Sequence, residues 1–184
     1  SVDLSRFRPQ ENRDALRREL GLGQGPVVIH SGTLSGWYLG TETFRLGRSL
    51  VEKSGGEFVV LTREAELAEA LSRKEGVRVR IRTVPHEEIP RWLGAADVGL
   101  CLVRPGFAKT ASAPTRIGEY LAAGLAVVAS KGVGDLEAQF SGSPVALAVD
   151  PFQDPDVLAP WVMEALSRED RVGEARSLAV RYYD

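Results

Sequence analysis

Short runs of consecutive apolar residues alternate along this chain with longer stretches in which apolar positions return every three or four residues. The short runs are Val27–His30, Phe58–Thr62, Val77–Ile81, Val98–Val103, Ala126–Ser130 and Val145–Val149. Several are unbroken β-branched or aliphatic sequences, the pattern of strands covered on both faces. The longer stretches predict helices over Glu11–Leu20, Thr43–Lys53, Glu64–Lys74, Glu87–Ala95, Thr115–Ala123, Asp135–Phe140, Pro155–Ser167 and Arg171–Tyr183. Strand and helix alternate through short connections, which predicts an α/β domain: a three-layer sandwich with a central parallel sheet of about six strands. No internal repeat and no low-complexity linker interrupts the pattern.

In such a sheet the ligand crevice lies outside the carboxyl ends of the strands. The loops due there are 31–36, 62–63, 83–86, 104–113 and 130–134, and they carry Gly, Ser, Thr, Arg and Lys. Gly32 and Gly36 let backbone approach a ligand and offer amide donors, although an ordinary βα turn uses the same residues. Arg63 stands on the second loop. Arg104 and Lys109 flank Gly106 and can neutralise a diphosphate, the alternative being two solvated loop charges.

The segment 109–130 carries the strongest local signal. It reads as a loop, a helix opened by Ser112 and Pro114, a stop at Gly124 and a buried strand. Proline near a first helical turn forfeits no hydrogen bond, and Ser112 or Thr115 can cap the remaining donors. The open amino end of a helix accepts phosphate. Glu119 lies about 7 Å further along the axis from Pro114, roughly the separation of a diphosphate from its ribose. Arg116 and Glu119 are also spaced for a plain surface ion pair.

Other candidates have ordinary readings beside the chemical ones. His86 precedes a helix and either caps it or stands near a base. His30 closes the first inner strand, where a buried, hydrogen-bonded histidine is the plainer reading. Trp37 and Tyr38 line a cleft, stack on a ligand or pack in the core. No His, Cys and carboxylate set has metal-ligand spacing, and no G-x-G-x-x-G, Walker lysine or nucleophile elbow is present.

Composition narrows the partners. The 184 residues are 43% hydrophobic and 26% charged, enough for one domain with a sizeable core. Net charge is −2, and no basic run points to nucleic acid. No apolar segment is long enough to cross a bilayer, and no signal peptide is visible. Cys101, the single cysteine, sits in an apolar run and reads as a buried thiol in a reducing compartment. Ser1–Pro9 opens with no strand of its own and Arg171–Asp184 ends on a helix without a capping signal, so the chain reads as one half of a larger protein.

Three segments carry a family resemblance. Val2-Asp-Leu-Ser-Arg-Phe-Arg-Pro9 resembles the "GVD-x-x-x-F-x-P" segment of family 4 retaining glycosyltransferases (glycosyl transferases group 1). Val84-Pro-His-Glu-Glu-Ile-Pro-Arg-Trp-Leu-Gly-Ala-Ala-Asp-Val98 resembles their "V-P-x-E-E-L-P-x-x-x-x-A-A-D-V". Pro114-Thr-Arg-Ile-Gly-Glu-Tyr-Leu-Ala-Ala-Gly-Leu-Ala-Val-Val-Ala129 resembles "P-T-K-x-x-E-Y-L-A-A-G-x-P-V-V-A".

The resemblance implies a Rossmann-like half of a GT-B fold, with residues 1–10 the interdomain linker and 11–184 the nucleotide-sugar-binding domain. It implies transfer of a sugar from a nucleoside diphosphate sugar, UDP-linked by default, to an acceptor hydroxyl with retention. It implies no metal or other cofactor, no nucleic-acid partner, and cytoplasmic work, peripheral to the membrane where the acceptor is a lipid-linked glycan of a cell-surface polysaccharide. The acceptor domain would precede Ser1, so this chain alone is expected to bind donor weakly and turn over nothing. By motif position Glu119 holds the donor ribose, and the amides of Thr115 and Arg116 contact the diphosphate. Val84 lies beside the base, and Gly32 and Thr33 form the loop over the phosphates. Three departures stand out. The first signature glutamate falls at Ala111, and the loop's arginine and lysine are Thr33 and Tyr38. Arg104 and Lys109 are the expected replacements as catalytic cations. The alternatives are a non-catalytic nucleotide-binding or assembly module and half of a sugar-nucleotide epimerase.

Overall fold

The computed structural model describes residues 1–106 and 114–184. Its strands are β1 (Val27–Ser31), β2 (Glu57–Leu61), β3 (Val79–Arg82), β4 (Val98–Cys101), β5 (Ala126–Ser130) and β6 (Ala146–Val149). The helices are α1 (Arg13–Leu20), α2 (Gly40–Ser54), α3 (Ala65–Glu75), α4 (Ile89–Ala95), α5 (Thr115–Ala122), α6 (Leu136–Phe140), α7 (Ala159–Ser167) and α8 (Arg171–Tyr183). All strand pairs are parallel, in the order β3-β2-β1-β4-β5-β6. The expected six-stranded parallel sandwich is therefore the fold.

The unbroken apolar runs have the cause the pattern implied. Successive side chains of a strand point to opposite faces, and both faces are covered. Val27, Ile29, Val127 and Ala129 pack with Leu16 of α1, Leu93 of α4, Ile117 and Leu121 of α5 and Ala175 of α8. Val28, Val60, Leu100 and Val128 pack on the other side with Phe44 and Leu50 of α2, Leu71 of α3 and Val162 of α7. Close approach needs small residues at two places. A Cβ on Gly99 would lie 2.3 Å from the Tyr120 ring, and one on Gly118 would lie 2.6 Å from Tyr183 of α8.

Element bounds shift where local chemistry competes with periodicity. α1 starts at Arg13 because Asn12 caps it, its side chain accepting from the Ala15 amide at 3.1 Å. α2 starts three residues ahead of the predicted Thr43, with the Thr43 amide and hydroxyl both donating to the Leu39 carbonyl. The predicted helices over 87–95 and 155–167 each open as a 3-10 turn, at His86–Glu88 and Pro155–Val157. The strand predicted over Val98–Val103 leaves the sheet after Cys101. There Leu102 accepts from the Leu39 amide, and Val103 forms an antiparallel bridge with Tyr38.

Residues 1–9 pack against the last helix rather than trailing free. Val2 and Phe7 are buried, and the Val2 amide donates to Tyr183 O. Arg176 of α8 donates to the carbonyls of Leu4, Phe7 and Ala122.

Candidate functional site

The strand order reverses direction between β1 and β4, and that reversal opens a crevice at the carboxyl ends of the two strands. The β1–β4 ladder pairs Val28 with Val98 and Ile29 with Gly99 only. Beyond it, His30 and Ser31 need other partners. The Ser31 amide donates to the Tyr120 hydroxyl at 2.9 Å, and that hydroxyl donates to Leu100 O at 3.3 Å. One side chain of α5 thus ties the diverging strands together. Burial pushes the Tyr120 hydroxyl well above its ordinary range, so it stays a neutral donor and acceptor.

His30 is fully buried beside it, as the plainer sequence reading had it. Its Nδ1 lies 3.3 Å from Leu100 O, and its Nε2 lies 3.0 Å from Thr33 O and 3.4 Å from Arg116 Nη1. Burial, then the Arg116 charge, pushes its pKa down to about 3, so the ring is neutral. A neutral imidazole has one N–H to give: on Nε2 it donates to Thr33 O, the shorter contact, and on Nδ1 it donates to Leu100 O and leaves Nε2 to accept from Arg116.

The loop after β1 is held from below by a carboxylate that no local sequence signal marks. Glu64 accepts from the Leu34 amide at 2.6 Å, from the Ser35 amide at 3.3 Å and from the Ser35 hydroxyl. Burial acts to raise its pKa, but these hydrogen bonds outweigh it and hold the carboxyl below its ordinary range. Gly32 turns the chain with φ +115°, and a Cβ there would lie 2.0 Å from Arg116 Nη2.

A cavity of about 310 Å³ opens where the loops after β1, β2 and β3 meet. Gly32, Thr33, Arg63 and Val84 line it, together with His86 and Ile89. Five of the residues singled out from sequence, His86 among them, are therefore neighbours although they lie up to 54 positions apart (86 − 32). His86 does not cap its helix through its side chain; its carbonyl instead accepts from Arg6 at 2.8 Å.

α5 approaches the same crevice end-on. Pro114 is its N-cap residue, and no side chain among the described residues caps it, so Thr115 does not serve as the expected cap, while Ser112 lies outside the described residues. Glu119 is half-buried one turn further in and makes no side-chain hydrogen bond among the described residues. Burial raises its pKa, while the charges of His86, Arg116 and Arg6 pull the other way. The simple Arg116–Glu119 ion pair is not formed. The Arg116 guanidinium instead turns towards His30 and stacks over the Tyr38 ring, 4.2 Å from its centroid.

Arg104 has an exposed side chain, and its amide donates to Trp37 O at 2.8 Å. Lys109, Ala111 and Ser112 lie outside the described residues. Cys101 is buried, and its thiol is pushed up to about 11 by burial. Among the described residues no group of three or more His, Cys, Asp or Glu side chains gathers as a metal site, and no helix is long and apolar enough to cross a membrane.

Fold and crevice together define a doubly wound, Rossmann-like domain with its opening at the strand-order reversal. Solved structures place it more narrowly, within the fold of the carboxy-terminal half of GT-B glycosyltransferases. The full chain superposes on 99% of the C-terminal domain of the glycosyl transferase group 1 family protein LpcC from Francisella tularensis, with a TM-score of 0.76 and 19% identity. It superposes on 51% of WaaG, a glycosyltransferase involved in lipopolysaccharide biosynthesis, with a TM-score of 0.76 and 18% identity. Anabaena HepE, solved in complex with UDP and glucose, gives the same TM-score, identity and coverage. The chain spans about half the length of these last two proteins. No protein-family model matches the sequence, and no curated protein matches it.

Proposed function

We propose that this domain binds a nucleoside diphosphate sugar as the donor half of a glycosyltransferase. The observation that carries the reading is Glu119: a half-buried carboxyl with no hydrogen-bond partner among the described residues, one turn behind the start of α5 and close enough to feel the charge of His86, which lines the cavity. A carboxylate in such a place accepts hydrogen bonds from a vicinal diol without having to break a bond to the protein. The ribose then stands over Glu119, with the base in the cavity beside Val84 and Arg63. The diphosphate lies against the amides of Thr115 and Arg116 and the backbone of Gly32 and Thr33, with Pro114 at the mouth of the helix and Ser112 two residues before it in the sequence.

The reaction is departure of the diphosphate from the anomeric carbon and capture of that carbon by an acceptor hydroxyl, with retention. Its main demand is stabilisation of the negative charge that grows on the leaving group, which fixed amide donors and nearby cations supply. Arg104 and Lys109, which fall between β4 and α5 in the sequence, are further candidate cations for that charge. Residues 1–10 link the domain to an acceptor-binding half, whose substrate is a glycan or lipid-linked glycan. UDP bound to HepE supports a UDP-linked donor. The isolated chain binds donor and does not turn it over.

Calorimetry of the chain with UDP, GDP and ADP at millimolar concentration is the test. One diphosphate is expected to bind, and Glu119→Ala is expected to weaken it about ten-fold. No heat from any of the three would sink the reading. A second reading, a nucleotide-binding module without transfer, is favoured by Thr33 and Tyr38, which stand where the resembling family carries cations. Labelled donor supplied to the full-length protein separates the two, since only a transferase moves the label to an acceptor.

A further inference from the structure

The charge balance around α5 is unusual. Arg116 is the second residue of the helix, at the end where the backbone dipole already favours negative charge. Its guanidinium is half-buried and has no carboxylate within ion-pairing distance among the described residues. The neutral His30 ring that it touches does not neutralise it. Yet the group is held in place. The Tyr38 ring lies 4.2 Å below it, His30 Nε2 lies 3.4 Å from Nη1, and Nη2 occupies the space over Gly32 that a side chain would fill.

The platform is itself fixed. Tyr38 is bridged to Val103, with Leu39 donating to Leu102 O and the Arg104 amide donating to Trp37 O on either side. A cation ordered on one face and left unpaired, beside the glycine of a ligand loop, is built to meet an anion.

We infer that the Arg116 side chain is the cation that faces the diphosphate of the donor, with Tyr38 and His30 as positioning residues that aim it. This rests on the donor-binding reading above and deepens it. It assigns the charge to α5, although the loop after β1 carries Thr33 and Tyr38 where cations were expected. Tyr38 then has a task in place of the lost lysine: its ring supports the guanidinium from below. Gly32 is required because Arg116 crosses directly over it. His30 packs beside the guanidinium as a neutral ring and so adds no like charge there.

The experiment separates phosphate recognition from nucleoside recognition. Calorimetry is run on the chain with whichever of UDP, GDP and ADP binds best, and with its parent nucleoside. Arg116→Ala is expected to weaken the diphosphate about ten- to hundred-fold and leave the nucleoside unchanged. Tyr38→Leu is expected to weaken the diphosphate about three- to ten-fold, and Tyr38→Phe to restore it, because the ring and not the hydroxyl carries the guanidinium. If Arg116→Ala does not fold, Arg116→Lys serves instead. It keeps the charge but not the stacked fork, and it is expected to fall between the wild type and Tyr38→Leu. An unchanged diphosphate affinity in the Arg116 variant, or an equal loss for diphosphate and nucleoside, overturns this assignment while leaving donor binding intact. A wild type that binds no nucleotide overturns both.

Discussion

At the scale of single residues the crevice is a set of protonation states and contacts fixed by burial. His30 has the clearest consequence. Its folded pKa of about 3 lies below the ordinary 6.5, so between those values the unfolded chain holds a proton that the folded chain does not. Its contribution to stability is therefore full above 6.5 and lost as the pH falls towards 3. Urea unfolding at pH 5 should show about 2 kcal/mol less stability from this group than at pH 7. Glu119, whose folded pKa is raised, acts with the opposite sign, losing stability as pH rises through and above 4.5. The readout is therefore the difference between wild type and His30→Gln, whose decline on acidification should be the shallower. Gly32 offers a second test. A Cβ there meets Arg116 at 2.0 Å on backbone with φ +115°, so Gly32→Ala should cost about 1–3 kcal/mol in urea unfolding. Gly32 was legible as a loop glycine, but its neighbour across the crevice was not.

The element that matters most is α5, because its two faces do different work. Ile117, Tyr120 and Leu121 are buried in the core, while Arg116 and Glu119 stay half-buried, Arg116 reaching over Gly32 to His30. The helical spacing of these residues was readable from the sequence, as was the proline at its start. What Tyr120 does was not. It reads as a core aromatic, yet its hydroxyl bridges β1 to β4 where their ladder ends. Tyr120→Phe leaves the buried Ser31 amide without its acceptor and should cost about 1–3 kcal/mol, measured by chemical denaturation, with little change in secondary structure by circular dichroism. β4 shows the same limit. Leu102 and Val103 extend its apolar run, but their backbone groups serve Leu39 and Tyr38 instead of the sheet. Periodicity marks a residue as buried; it does not say which neighbour takes its hydrogen bonds.

Across the whole molecule, the amino- and carboxy-terminal elements meet at one acid. Asp97, just before β4, is buried and takes Arg13 and Arg17 from α1 and Arg171 from α8, while also accepting from the Val27 amide at 2.8 Å. Burial acts to raise its pKa, but Arg13 and the other charges outweigh it and hold the carboxyl below its ordinary range. Burial in turn pulls the Arg171 pKa down, so Asp97 is what keeps that guanidinium tolerable away from solvent. Asp97→Ala would strand buried positive charge and should cost about 3–5 kcal/mol, read as a lower urea midpoint. Donor affinity measured well below that midpoint should change little, because the cluster lies at the opposite end of the strands from the crevice. The sequence places Asp97 in the Ala-Ala-Asp-Val segment of the family pattern, but nothing local marks it as the meeting point of two distant helices.

The sequence by itself determined the layers of this protein. Unbroken apolar runs call for strands covered on both faces, three- and four-residue periodicity calls for the helices that cover them, and short connections leave a parallel sheet as the solution. It also marked the loops that could meet a ligand, since glycines, the proline of α5 and the polar strand ends are local signals. Only the tertiary structure decided which loops face one another. Setting β1 beside β4 brings Arg116 to His30 and Tyr38, 86 and 78 positions earlier (116 − 30 and 116 − 38), and brings Asp97 to Arg17 and Arg171. Those pairings are set by strand order and by competition for buried hydrogen bonds across long separations, and neither leaves a periodic trace in the chain.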